Sequence, residues 1–180
     1  MYFHRSLVAL FLLAISGCNK SSSLPPAKDW ITFQSPDAPY SVSLPFKPKQ
    51  QTQAADGFTI KMHMCEVGND LAVMTCANDF PVKIDIKDSQ KCKFILDESM
   101  KGALANMKGS LKEQKTLYLD KKYPVREFTG TFKDPQVGTG TVRARIILTD
   151  KKLIQLLALG RDEQMQKTEV TKFLESIKMK

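Results

Sequence analysis

Histidine is almost absent from this chain: His4 and His63 are the two in 180 residues. A Ser-His or Cys-His nucleophilic site needs an imidazole as its base, so such a site has very little to be built from. No Gly-x-Ser-x-Gly elbow, phosphate-binding P-loop or His-Glu-x-x-His motif occurs. Carboxylates number 19, but no two of them are legible as an acid–base pair. The sequence therefore reads as a non-enzyme, and no cofactor is expected. Long apolar runs are missing too. The one extended run, "SLVALFLLAIS" from Ser6 to Ser16, falls short of the roughly 20 residues a membrane-spanning helix needs. Nothing downstream matches it, so the remainder is expected to be soluble. There is no internal repeat.

What is present begins at the N-terminus. "MYFHR" carries one full positive charge, the apolar run follows, and small residues lead to Cys18. A basic start, an apolar core and small residues at the end make a secretory signal peptide. Ile15-Ser16-Gly17-Cys18 resembles the lipobox of bacterial lipoproteins. That resemblance implies cleavage before Cys18 and diacylglycerol on its sulfur, with acylation of the new amine. Two or more acyl chains hold a protein stably at a bilayer where one holds it only marginally. Residues 1–17 are thus expected to be removed, leaving Cys18 as the lipid anchor. Asn19 stands where an aspartate would retain a Gram-negative lipoprotein in the inner membrane. By that sorting rule the periplasmic face of the outer membrane is the expected location in a Gram-negative source; in a Gram-positive one the same anchor faces outward from the single membrane. Residues 18–29, "CNKSSSLPPAKD", read as the lipidated end and a flexible tether, and the folded domain is expected over 30–180.

The formal charge is +8 for the whole chain and falls by one when Arg5 leaves with the signal peptide. Lysines near an anionic leaflet contribute about 1 kcal/mol each. Here the basic residues are scattered, as on a solvated surface, and an exported protein does not meet nucleic acid. The expected partners are the membrane, through the anchor, and an envelope protein.

The period of the apolar residues gives the domain's organisation. "WITF", "YSVSLP", "FTIKMHMCE" and "LAVMTCA" read as strands, with "VGND" as a hairpin loop in which Gly68 and Asn69 tolerate positive φ. From Asp88 the period becomes helical: Cys92, Ile95, Leu96, Ser99, Met100, Ala103, Leu104 and Met107 share one face of an amphipathic helix. Asp88 or Ser89 can cap its start, and Gly109 is expected to end it. Period two returns in "KEQKTLYL", "YPVREFTGTFK", "GTVRARIILT" and "KLIQLLALG", joined by short turns that imply antiparallel neighbours. The last of these is nearly all apolar, as a strand covered on both faces should be. "DEQMQKTEVTKFLESIKM" then sets Val170, Phe173, Leu174 and Ile177 on one helical face. The expected fold class is a mixed α/β (α+β) sandwich: an antiparallel sheet with helices covering it on opposite faces.

The opening "WITFQSPDAPYSVSLPFKPK" and the closing apolar strand plus "KFLESIKM" resemble PsbP-like domains of the DcrB type. The resemblance covers roughly residues 30–180. It implies that fold and carries no residue of the photosynthetic members' role onto this chain; their function lives in sites that the fold alone does not supply.

The remaining chemistry lies in "KMHMCE" and "AVMTCA". Thioether, thiolate and imidazole suit Cu(I). Strand parity puts His63 and Cys65 on one face and Met62 and Met64 on the other. If Glu66 pairs with Leu71, His63 stands opposite Met74, and a His63–Met74–Cys65 cluster could carry a soft metal. The plainer reading is methionines filling a core. The same register puts Cys65 opposite Ala72 and Cys76 about 13 Å further along, beyond the roughly 7 Å Cα limit of a disulfide. Three readings of the thiols Cys65, Cys76 and Cys92 stay open: three reduced thiols packed as small apolar groups, one Cys76–Cys92 bridge, or another single pairing.

Overall fold

The computed structural model describes residues 24–55, 58–134 and 138–180; the signal segment and Cys18 lie outside them. Along these residues a 3-10 turn at Ala27–Asp29 leads into β1 (Ile31–Gln34) and β2 (Tyr40–Leu44). Next come β3 (Lys49–Ala55), β4 (Phe58–Val67) and β5 (Leu71–Asp79), then the long helix α1 (Ser89–Asn106). Four strands follow: β6 (Leu111–Leu119), β7 (Tyr123–Asp134), β8 (Gly138–Leu148) and β9 (Lys152–Gly160). The chain closes with α2 (Asp162–Met165), α3 (Thr168–Glu175) and β10 (Lys178–Met179). No helix among the described residues is long and apolar enough to cross a membrane.

The strands form two sheets. A seven-stranded antiparallel sheet has the order β3-β4-β5-β9-β8-β7-β6, and a three-stranded one the order β1-β2-β10. β9 is the middle strand of the large sheet, and its residues from Leu153 to Gly160 are all buried. Two cores result. Leu153, Leu157 and Leu159 face α1 with Met64, Met74, Cys76, Leu96, Met100 and Phe128. Ile154, Leu156 and Ala158 face the other way, with Tyr40, Val42, Leu44, Val170, Phe173 and Leu174. The α+β sandwich expected from the sequence is therefore what forms, with α1 on one face and the small sheet plus α2–α3 on the other.

Several local features differ from the sequence reading. β3, "KQQTQAA", has no apolar alternation and could not be seen; it exists because the backbone of β4 offers it an edge. The C-terminal helix is broken in two, and its last residues leave as β10 to pair with β2. Part of the expected tether is folded: Leu24 packs on the second core, and Trp30 Nε1 donates to the Pro25 carbonyl at 2.9 Å. Asp88 does cap α1, accepting from Lys91 N. At the other end Lys108, with φ 49°, takes the left-handed position. The Gly109 amide then donates to the Leu104 carbonyl, and that of Lys108 to the Ala105 carbonyl, a Schellman closure. Gly109 is needed for another reason: a Cβ there would lie 1.9 Å from the Thr131 carbonyl oxygen.

Arg126 crosses the α1 side of the sheet almost fully buried. It is paired with Asp97 of α1 and donates to Thr116 Oγ1 of β6 at 2.7 Å. This bridge pins the helix over the β6–β7 end of the sheet.

Truncating either helix face tests this packing. Leu96→Ala and Phe173→Ala, both at side chains essentially without exposure, should lower unfolding free energy by about 2–5 kcal/mol. Lys101→Ala, on the solvent side of α1, should leave the urea midpoint almost unmoved. Equal midpoints for the three variants would contradict the helix orientation.

Candidate functional site

The sequence directs attention first to His63. It sits on β4, 4% exposed, on the face turned toward the small sheet. Its Nε2 donates to Asp37 Oδ2 at 2.8 Å, and the Phe33 ring lies 4.8 Å from it, centroid to centroid. Lys61 Nζ approaches the other Asp37 oxygen at 3.7 Å. Beside this pair Tyr40 Oη and Thr75 Oγ1 share a hydrogen bond of 2.7 Å. Burial drives the Tyr40 phenol up to about 12, so it stays neutral and donates or accepts without ionising. These contacts fasten the β1–β2 loop of the small sheet to the middle of the large one.

The soft-metal cluster does not form, because the hairpin register is one residue away from the expected one. Val67, not Glu66, pairs with Leu71, and the turn has three residues with positive φ at Gly68 only. His63 stands opposite Thr75, and Met74 opposite Met64. One residue of slip moves a side chain to the other face. Met74 therefore joins the α1 core, while His63 and Cys65 remain on the opposite side.

The same register places the cysteines. Cys65 is opposite Val73 and Cys76 opposite Met62, so these two thiols lie on opposite faces of the sheet. Cys76 and Cys92 share the α1 core, yet all three cysteines are free and buried, and the Cys76–Cys92 bridge is not formed. Cys65 Sγ donates to the Phe46 carbonyl at 3.2 Å. Burial pushes the Cys65 and Cys76 thiols up to about 12 and also raises Cys92. A protonated, enclosed thiol is a poor nucleophile. The folded protein should accordingly resist a thiol reagent at pH 8 at all three positions and react after unfolding in urea. Rapid native labelling of Cys65 or Cys76 would contradict this placement.

A groove that no sequence motif announced lies between the β6–β8 region and α2–α3. One part encloses about 470 Å³ and is lined by Glu113, Lys115, Glu127, Thr129, Arg143 and Thr171. A second part of about 300 Å³ shares Glu113, Thr129, Met165 and Gln166 with it and adds Lys112 and Asp162. The first volume falls in the range of small-molecule sites. The signal was present in "TVRARIILT". Alternation turns Val142, Ala144 and Ile146 into the α1 core, which leaves Arg143 and Arg145 on the opposite face.

Both arginines hold helix ends. Arg143 Nη1 donates to the Met165 carbonyl at 2.9 Å and to Thr171 Oγ1 at 3.1 Å. Arg145 Nη1 donates to the Leu174 carbonyl at 3.0 Å and its Nε to Glu127 Oε2 at 2.5 Å. Cations at carbonyl ends are favoured by the free acceptors and the helix dipole. Glu127 also accepts from Lys115 Nζ at 2.7 Å. Burial alone would raise the Glu127 carboxyl, but the hydrogen bonds and charges of Lys115 and Arg145 outweigh it and hold it below the usual 4.5. Another cavity of about 510 Å³, beside Ile84, Ile86 and Tyr123, is rimmed by Lys83, Lys122 and Asp150.

Because the folded-state pKa of Glu127 is depressed, its contribution to stability is complete above about pH 4.5. It should disappear as pH falls through the lower folded value. Urea denaturation from pH 6 to pH 2 should show a smaller acid-side loss in Glu127→Gln than in the parent chain. Parallel pH profiles would remove the paired state assigned to this carboxylate.

The architecture is that of PsbP-like proteins. Among solved structures the chain is similar to cyanobacterial PsbP (CyanoP) from Synechocystis sp. PCC 6803. The TM-score is 0.51 at 10% identity, over 92% of this chain and 99% of CyanoP. LpqN, involved in cell envelope biogenesis of Mycobacterium tuberculosis, aligns with a TM-score of 0.49 at 11% identity, over 83% of this chain and 90% of LpqN. No protein-family model and no curated protein matches the sequence. At this identity the CyanoP likeness speaks for the fold alone.

Proposed function

We propose that the chain is a membrane-anchored lipoprotein whose PsbP-like domain serves a non-enzymatic binding or assembly-support role in the cell envelope. The observation that carries this reading is the N-terminal pattern: a basic start, an apolar run, then Ile15-Ser16-Gly17-Cys18. Cys18 is the lipidation site, and Asn19 favours the periplasmic face of the outer membrane if the source is Gram-negative. Leu24 already packs on the core. Residues 19–23 can reach at most about 3.3–3.6 Å each, so the domain would ride within roughly 20 Å of the bilayer. Such a short leash suits a module that meets its partner, an envelope protein, at the membrane surface. His63 is committed to Asp37 and serves the structure rather than a metal.

Palmitate labelling in cells tests the anchor. Cys18→Ser should stay uncleaved at the lipobox and unlabelled, whereas the parent chain is labelled and sediments with membranes. A labelled Cys18→Ser protein in the membrane pellet would sink the reading. Crosslinking in intact cells should then return a reproducible envelope protein.

A further inference from the structure

We propose that the groove between β6–β8 and α2–α3 binds a ligand of short-peptide size through its free carboxylate, with Arg143 as the receiving fork. Of the cations lining the groove, Lys112 lies 4.0 Å from Asp162, and Lys115 is 2.7 Å from Glu127. Arg145, behind Glu127, is bonded to that same carboxylate. Among the described residues Arg143 has no carboxylate partner: its two hydrogen bonds go to a carbonyl and a hydroxyl, and both leave from Nη1. Nη2 and Nε are left without a protein acceptor among the described residues. A guanidinium offers such a pair as two parallel donors, which match the two oxygens of one carboxylate. The bonds at Nη1 hold the group in place beforehand, so little side-chain freedom is lost when an anion arrives.

The surroundings select among anions. Glu113, Glu127 and Asp162 also line the groove. Their like charge disfavours a doubly charged phosphate more than a singly charged carboxylate. Thr129, Gln166 and Thr171 supply neutral donors and acceptors along the same walls, suited to the amides that precede a peptide's terminal carboxylate. A volume of about 470 Å³ leaves room for more than one residue. The assignment deepens the binding-module reading but does not depend on the anchor. Failure of palmitate labelling would leave it standing, and failure at the groove would leave the anchor standing.

N-acetylglycine is the minimal probe, with N-acetylglycinamide and inorganic phosphate as comparisons, titrated to about 50 mM into the 15N-labelled full chain in detergent micelles. N-acetylglycine should cause saturable shifts at the Thr129 and Gln166 amides and at Arg143 Nε. The amide should cause none, and phosphate should bind more weakly. Arg143→Lys keeps the charge but removes the fork, and should weaken binding about tenfold or more. Gln166→Glu, at an exposed side chain that leaves the helix-end bonds of Arg143 in place, should do the same by adding a like charge. Lys83→Gln at the other cavity should change nothing. Equal binding of acid and amide would overturn the proposal, as would no saturable shift at the groove. Phosphate binding at least as tight as the carboxylate would reassign the site to a phosphate ligand. Undiminished binding in Gln166→Glu would remove it from this groove.

Discussion

The structure depends on covering β9 twice. From Leu153 to Gly160 this strand is buried on both faces, and an apolar strand can be buried that way only if something lies on each side of the sheet. α1 supplies one cover, through Leu96, Met100 and Leu104. The other is assembled from distant pieces of chain: β1 and β2 from the start of the domain, α2, α3 and β10 from its end. The pairing of β10 with β2 ties those two ends together. The Asp37–His63 and Tyr40–Thr75 contacts then lock the small sheet in register over the large one.

The second cover runs out before the sheet does. Toward β6, the face opposite α1 changes from leucine and isoleucine to Thr129, Thr141, Arg143, Arg145 and Glu127. That change leaves a groove rather than a core. The break between α2 and α3 belongs to the same corner. It puts the Met165 carbonyl within reach of Arg143, while the Met165 side chain stays 1% exposed. The arginines therefore secure the helices and polarise the groove at once. Lys112, Lys115 and Arg145 each meet a carboxylate on this face, whereas the hydrogen bonds of Arg143 among the described residues go to a carbonyl and a hydroxyl.

Legibility along the sequence followed the strength of local pattern. α1 showed itself through a helical stripe and an Asp88 cap, and β9 through an unbroken apolar run. β3 showed nothing, since an edge strand of "KQQTQAA" is held by backbone bonds to β4 rather than by buried side chains. The β4–β5 hairpin was recognisable, but its loop is one residue shorter than the Glu66–Leu71 pairing expected, and Leu71 meets Val67. The metal reading of His63 depended on that single residue. Arg143 and Arg145 were visible as residues of a strand, yet nothing local says that two helix ends will descend on them.

Local pattern in the sequence carries the types of β1, β2, β4 to β9 and α1, the antiparallel order of β6 to β9, the two buried faces of β9 and the Ile15-Ser16-Gly17-Cys18 stretch that resembles a lipobox. Each of these is written in periodicity or in a contiguous motif, and so needs no knowledge of what lies across the fold. Tertiary structure alone decided that the strands divide into two sheets and that the half-buried Leu24 packs against the second core. It also decided that His63 meets Asp37 rather than Met74, and that Arg143 opens onto a groove. These outcomes join residues far apart in the chain. Their cause is the competition of distant surfaces for burial and of distant carbonyls and carboxylates for donors, which no stretch of sequence records.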